Sequence, residues 1–151
     1  GQMSHIDMDR LRADLIAAEG LKLMPYTDTL GLLTIGVGRC IGTRGITREE
    51  ALYLLDNDIA AITEAIDRAI PWWRGLSEAR QRALVNMGMM GVARLLGFKK
   101  MLAAMQAGDF EKAAAEALSS KWAEQVGKSG PSPQHPDGQR AYRVARLIRE
   151  G

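Results

Sequence analysis

The chain carries one cysteine, Cys40, two histidines, and only 5% aromatic residues among its 151 positions. A single cysteine excludes an intramolecular disulfide and suits a reducing compartment. Cys40 itself reads as a small, half-buried apolar residue. His5 and His135 lie in polar segments without ligand-spaced partners, so both read as solvated and no metal site is expected. No run of about 18 apolar residues occurs, which excludes a membrane-spanning helix. The opening GQMSHIDMDRLR lacks the apolar core of a signal peptide, so action outside the cytoplasm would need separate delivery. Repeats, heptads and low-complexity tails are also missing. Gly36-Val37-Gly38-Arg39-Cys40-Ile41 fails the dinucleotide-binding GxGxxG pattern because Ile fills its last place, and no helix opens there.

What is present fits a folded chain. Apolar residues make up 46% and charged residues 25%, which argues against disorder. The length suits one domain with its own core, or two small lobes sharing a long element. A net charge of +2 is compatible with polyanionic partners without demanding one.

Met8, Leu11, Leu15 and Ala18 repeat at helical spacing, with Asp7 or Ser4 placed to cap, which predicts an amphipathic helix over 5–18. Pro25 and glycines at 31, 36, 38, 42 and 45 forbid a long helix over 21–42, where Tyr26, Leu32, Leu33, Thr34, Ile35 and Val37 favour short strands. Thr47-Arg48-Glu49-Glu50 is a capping box. Behind it, Leu52, Leu55, Ile59, Ile62, Ile66 and Ala69 keep a three-four spacing until Pro71. A helix over 48–70 runs about 35 Å, longer than a compact domain of this size needs, and reads as a spine between two lobes. Beyond Ser77 the pattern is helical, with breaks near Gly91, Gly97 and Gly108 and over 127–138, and with helices expected over 77–90, 93–106, 110–118, 119–126 and 139–149. GKSGPSPQHPDG, over 127–138, reads as a mobile loop. Met87, Met89, Met90, Met101 and Met105 read as core filler. Trp72 and Trp73 read as a seal on the spine's end.

The most informative segment is EGLKLMPYTDTLGLLTIGVG, beginning at Glu19. Gly20 follows Glu19 and most cheaply takes the left-handed conformation that ends a helix, which leaves a carboxylate at a helix lip. Asp28-Thr29-Leu30-Gly31 fits a type I turn, and Thr34 lies on the strand returning from it. Two carboxylates at this separation, taken alone, favour a solvated Glu and a turn-forming Asp. Their contexts differ, however: Glu19 meets an apolar helix face, whereas Asp28 sits at a hairpin tip. Such a pair can serve as acid and as base or cation stabiliser in glycoside hydrolysis.

The same segment resembles the active-site stretch of the phage T4-type lysozymes, a family of endolysin muramidases. ITREEALYLLDNDI resembles the start of that family's interlobe helix, and RALVNM with GVARLLGFKKML its central C-terminal helices. SKWAEQ followed by GQRAYR resembles its final segment. The resemblance implies an α+β, lysozyme-like fold, in which a small β-hairpin N-terminal lobe is joined by a long helix to an all-helical C-terminal lobe. It implies a single domain over 1–151: lobe 1 over 13–58, with the N-terminal helix packed on lobe 2; a spine over 48–70; and lobe 2 over 71–151. Substrate would lie between the lobes.

The implied reaction is hydrolysis of the β-1,4 bond between N-acetylmuramic acid and N-acetylglucosamine of bacterial peptidoglycan, for host lysis, with no cofactor and no metal. Glu19 matches the general acid and Asp28 the carboxylate that stabilises the cation-like transition state or activates water. Thr34 matches the hydroxyl that holds this water, and Arg140 an arginine contacting the acid. Tyr26, Cys40 and Met89 are counted with the supporting or substrate-binding residues. Inversion is implied, a stereochemistry that generally keeps the carboxyls about 6.5–9.5 Å apart. Arg39 stands where relatives have a His paired with an acid matching Asp58, so an Arg39–Asp58 ion pair is expected, structural and little dependent on pH. Met89 falls where relatives place a polar residue, and the 127–138 loop is longer than in close relatives.

Arg140, Arg143, Arg146 and Arg149 step by three, which reads first as a solvated basic face and second as attraction to the anionic wall. The expected state is a monomer with no nucleic-acid partner, held in the host cytoplasm until a holin opens the way to the periplasm and wall. The competing readings are a catalytically impaired peptidoglycan-binding module of the same fold and, more distantly, a nucleic-acid binder using the C-terminal arginines.

Overall fold

The computed structural model describes residues 5–151, so Ser4, the alternative cap, lies outside the described residues. They form two compact units, one ending at Tyr53 and the other spanning Leu54–Gly151.

In the first unit, α1 (Met8–Glu19) is capped by Asp7, whose side chain accepts from the Arg10 amide at 3.1 Å. It closes where Gly20, at φ 78°, donates to the Ile16 carbonyl at 2.7 Å. The expected hairpin is a three-stranded antiparallel sheet in the order β1 (Lys22–Thr27), β2 (Leu33–Gly36), β3 (Arg39–Cys40). Its register shifts between Lys22 and Tyr26. Pro25 sits inside that shift, on an edge strand, where a residue without an N–H costs no ladder bond. The capping box forms as read: the Glu50 amide donates to Thr47 Oγ1 at 3.1 Å, and the Thr47 amide donates to Glu50 Oε1 at 2.8 Å. It opens α2 (Arg48–Ala69), which continues into the second unit.

The second unit is helical. Pro71 ends α2, and a single 3-10 turn, Trp73–Gly75, follows. Trp73 is buried, as a seal should be, and its indole N–H donates to Asp67 Oδ1 at 2.6 Å. Arg74 also donates to Asp67 and lies 4.4 Å from the Trp73 ring centroid. Then come α3 (Glu78–Gly88), α4 (Val92–Leu96), α5 (Lys99–Gln106), α6 (Phe110–Leu118), α7 (Lys121–Val126) and α8 (Arg140–Glu150). Ser77, Asp109 and Ser120 cap α3, α6 and α7 through side-chain oxygens. The helix expected over 93–106 is two helices. At Phe98 the backbone leaves the helical basin, at φ −80° and ψ 59°, and the ring meets Trp122 edge-on, with centroids 6.1 Å apart.

Ile66, Leu84, Met87, Leu95, Met101, Met105 and Ile148 form the fully buried centre with Trp73 and Val144. Each large side chain there contributes about 1.5–3 kcal/mol by leaving water. The methionine reading holds for 87, 101 and 105, but Met89 is 46% exposed. It caps α3, and the helix spacing no longer turns it inward.

The 127–138 loop, read as mobile, is closed by a short ladder. The Gln139 amide donates to the Ser129 carbonyl, the Ser129 amide to Gln139 Oε1, and the Ala141 amide to the Gly127 carbonyl, each at 2.9 Å. Gly127 and Gly138 take left-handed φ of 90° and 86°, and the Tyr142 ring occupies the space a side chain at 138 would need.

Candidate active site

The first unit gathers Glu19, Asp28 and Thr34 around β2. Asp28 opens the turn into that strand. The Gly31 amide donates to its carbonyl at 3.0 Å, as the type I pattern requires. Its Oδ1 accepts from the Leu30 and Leu32 amides at 2.8 and 2.9 Å, and its own amide donates to the Leu32 carbonyl at 2.9 Å. Oδ2 has no hydrogen-bond partner among the described residues. Asp28 is therefore fixed through one oxygen and free to act through the other.

Thr34 is the one buried polar residue among those described, 3% exposed. Its hydroxyl donates to the Leu32 carbonyl at 2.9 Å. Tyr26 on β1 and Cys40 on β3 stand directly across from it, so these three side chains share one face of the sheet. Cys40 Sγ lies 3.0 Å from Thr43 Oγ1.

Glu19 approaches the other end of β2. A Cβ built on Gly38, in the turn between β2 and β3, would stand 2.7 Å from Glu19 Oε2 and 3.2 Å from its carboxyl carbon. Gly38 also holds φ 66°. Glycine suits this position on both counts, by tolerating a left-handed backbone and by leaving room for the Glu19 carboxyl. The sequence marks Gly38 only as one turn glycine among several and carries no sign of what lies against it.

Arg39 does not pair with Asp58. Its guanidinium makes a two-pronged contact with Glu50, NH1 to Oε1 at 2.9 Å and NH2 to Oε2 at 2.8 Å, and NH1 also reaches the Gly45 carbonyl at 3.4 Å. The capping box is the reason: Glu50 folds back toward Thr47, which presents its carboxylate to the 41–46 loop that follows β3. The Arg39 hydrogen bond, helped by the Thr47 amide, holds the Glu50 carboxyl at about 2, while Glu50 raises Arg39 above its usual range.

Arg140 lies in the second unit, where Nε donates to Asn86 Oδ1 and NH2 to the Asn86 carbonyl, both at 2.9 Å. Met89 and Arg140 border an open hollow of this unit together with Leu55, Ile59, Thr63 and Asn86. Arg143 and Arg146 of the arginine stripe are exposed, as a solvated basic face requires, and the stripe also makes local contacts. Arg143 donates to the Gly138 carbonyl at 2.7 Å and Arg146 to Glu150 at 2.9 Å, while Arg80 covers the last carbonyls of α8 at Ile148 and Arg149. No group of three or more His, Cys, Asp or Glu able to hold a metal occurs among the described residues.

The phage lysozyme family model matches residues 16–135, which takes in Glu19, Asp28, Thr34 and the whole of α2. The chain belongs to the phage lysozyme family. Among its relatives is the pre-baseplate central spike protein Gp5 of Enterobacteria phage T4, 36% identical over 137 residues, covering 72% of this chain and 24% of that protein. Another is the SAR-endolysin of Escherichia phage Mu, 32% identical over 102 residues, covering 64% of this chain and 60% of that protein. The chain thus spans about a quarter of one relative's length and three fifths of the other's. A lysozyme-like α+β fold, with the small sheet followed by helices, agrees with that membership.

Proposed function

We propose that this member of the phage lysozyme family hydrolyses bacterial peptidoglycan, cutting the β-1,4 bond between N-acetylmuramic acid and N-acetylglucosamine with inversion, in the service of host lysis. The observation that carries it is the arrangement of the two carboxylates about β2. Asp28 is anchored through one oxygen by two amides, and Glu19 lies against the Gly38 turn, whose left-handed backbone and lack of a side chain make room for its carboxyl. Membership of the family and the likeness to an endolysin support the substrate class.

Glu19 donates its proton to the glycosidic oxygen as the bond to the anomeric carbon breaks. Asp28 takes a proton from the attacking water through its unoccupied oxygen or steadies the cation-like transition state. The sole hydroxyl hydrogen of Thr34 is committed to Leu32, so any contact with that water is made by its oxygen as acceptor.

Reducing-end release from purified peptidoglycan tests the reaction class, and proton NMR of the first-formed anomer tests inversion. Release of the α-anomer from a β-linked substrate is expected. Early β-anomer would instead establish retention, and no release at all would overturn the enzymatic reading.

A further inference from the structure

We propose that Thr34 is a positioning residue for Asp28, acting through the backbone of Leu32. The inference rests on the proposed reading of Asp28 as the catalytic partner of Glu19. The Leu32 residue holds Asp28 from two sides: its carbonyl accepts the Asp28 amide and its amide donates to Asp28 Oδ1, each at 2.9 Å. The same carbonyl receives the Thr34 hydroxyl, also at 2.9 Å. One oxygen therefore takes a donor from the turn before β2 and a donor from within β2. That fixes the orientation of the Leu32 carbonyl, and with it the turn that presents Asp28.

Burial makes the link specific. Thr34 is 3% exposed, so bulk water does not readily replace a lost hydroxyl donor at this position. Valine in its place keeps the shape and removes the donor, while serine keeps the donor.

The test compares Thr34→Val and Thr34→Ser with the parent, first by amide hydrogen exchange without substrate and then by kcat and KM on soluble peptidoglycan fragments. In Thr34→Val, the Asp28 and Leu32 amides are expected to exchange about tenfold faster or more. Its kcat is expected to fall by about 10–100-fold, with KM changed less than about twofold. Thr34→Ser is expected to keep parental exchange and most of kcat, and it carries the test if the valine variant does not fold. Unchanged amides in Thr34→Val alongside a lost kcat would overturn the proposal in favour of a purely water-holding hydroxyl. A loss in Thr34→Ser as deep as in Asp28→Asn would overturn it too. A parent that releases no reducing ends would sink the functional reading, while the exchange data, taken without substrate, still decide whether Thr34 holds the Asp28 turn.

Discussion

Asp28 and Thr34 meet at one atom, the carbonyl oxygen of Leu32, which accepts the Asp28 amide and the Thr34 hydroxyl at 2.9 Å each. Two residues six positions apart are thereby tied into one rigid corner, where strand pairing, turn geometry and the placement of a carboxylate are the same set of hydrogen bonds. Glu19 is set by a different device, the close approach of its carboxyl to a glycine turn.

That approach makes Gly38→Ala informative. The new Cβ meets the far end of the flexible Glu19 side chain, so the carboxyl swings away rather than the fold breaking. The left-handed backbone at φ 66° adds a stability cost of about 1–2 kcal/mol. Activity on peptidoglycan is expected to fall by about 100-fold while the thermal transition stays cooperative. Parental turnover in this variant would show that Glu19 does not depend on its contact with the turn.

Glu50 gives a pH-dependent expectation. Its carboxyl is held at about 2 instead of 4.5, chiefly by the Arg39 hydrogen bond. A depressed folded-state pKa contributes stability that is fully present above the unfolded value of 4.5 and lost as pH falls toward about 2. Arg39 stays charged throughout this range. Glu50→Gln should therefore lower the denaturant midpoint at neutral pH, and its deficit relative to the parent should shrink across that acid window. A deficit that stays constant from neutrality to about pH 2 would exclude the ion pair as its source.

How far the sequence alone leads can be judged residue by residue. The α2 capping box, the Asp28 turn and the Gly20 helix stop were legible because each is written in neighbouring residues with one cheap conformation. The family itself was legible in the ordered blocks that the family model also matches, while the roles of Glu19, Asp28 and Thr34 stand as proposals. The partner of Arg39 was not legible, since it turns on where a capping side chain points after it has folded back. The break beside Phe98 was legible only in part: Gly97 marked it, but the apolar pattern carried the expected helix through it over 93–106. Gly38 and Leu32 escaped for a related reason: one acts by lacking a side chain and the other through its backbone.

In the second unit, Asn86 is the only side chain among the described residues recorded as bonding to the Arg140 guanidinium. Asn86→Ala removes Oδ1 and leaves the charge-assisted donor Nε without this acceptor. A loss of about 1–3 kcal/mol in unfolding free energy is expected. Urea titration checks it, and a change below about 0.5 kcal/mol would mean that solvent replaces the asparagine at no cost.

The most direct test of the site is the initial rate of reducing-end release from purified peptidoglycan by the parent and by Glu19→Gln, with circular dichroism to verify that both are folded. The expected result is steady release by the parent and a rate lower by at least about 100-fold in the variant. Equal rates would contradict the assignment of Glu19 as the proton donor, and a folded parent without any release would contradict the proposed hydrolysis itself.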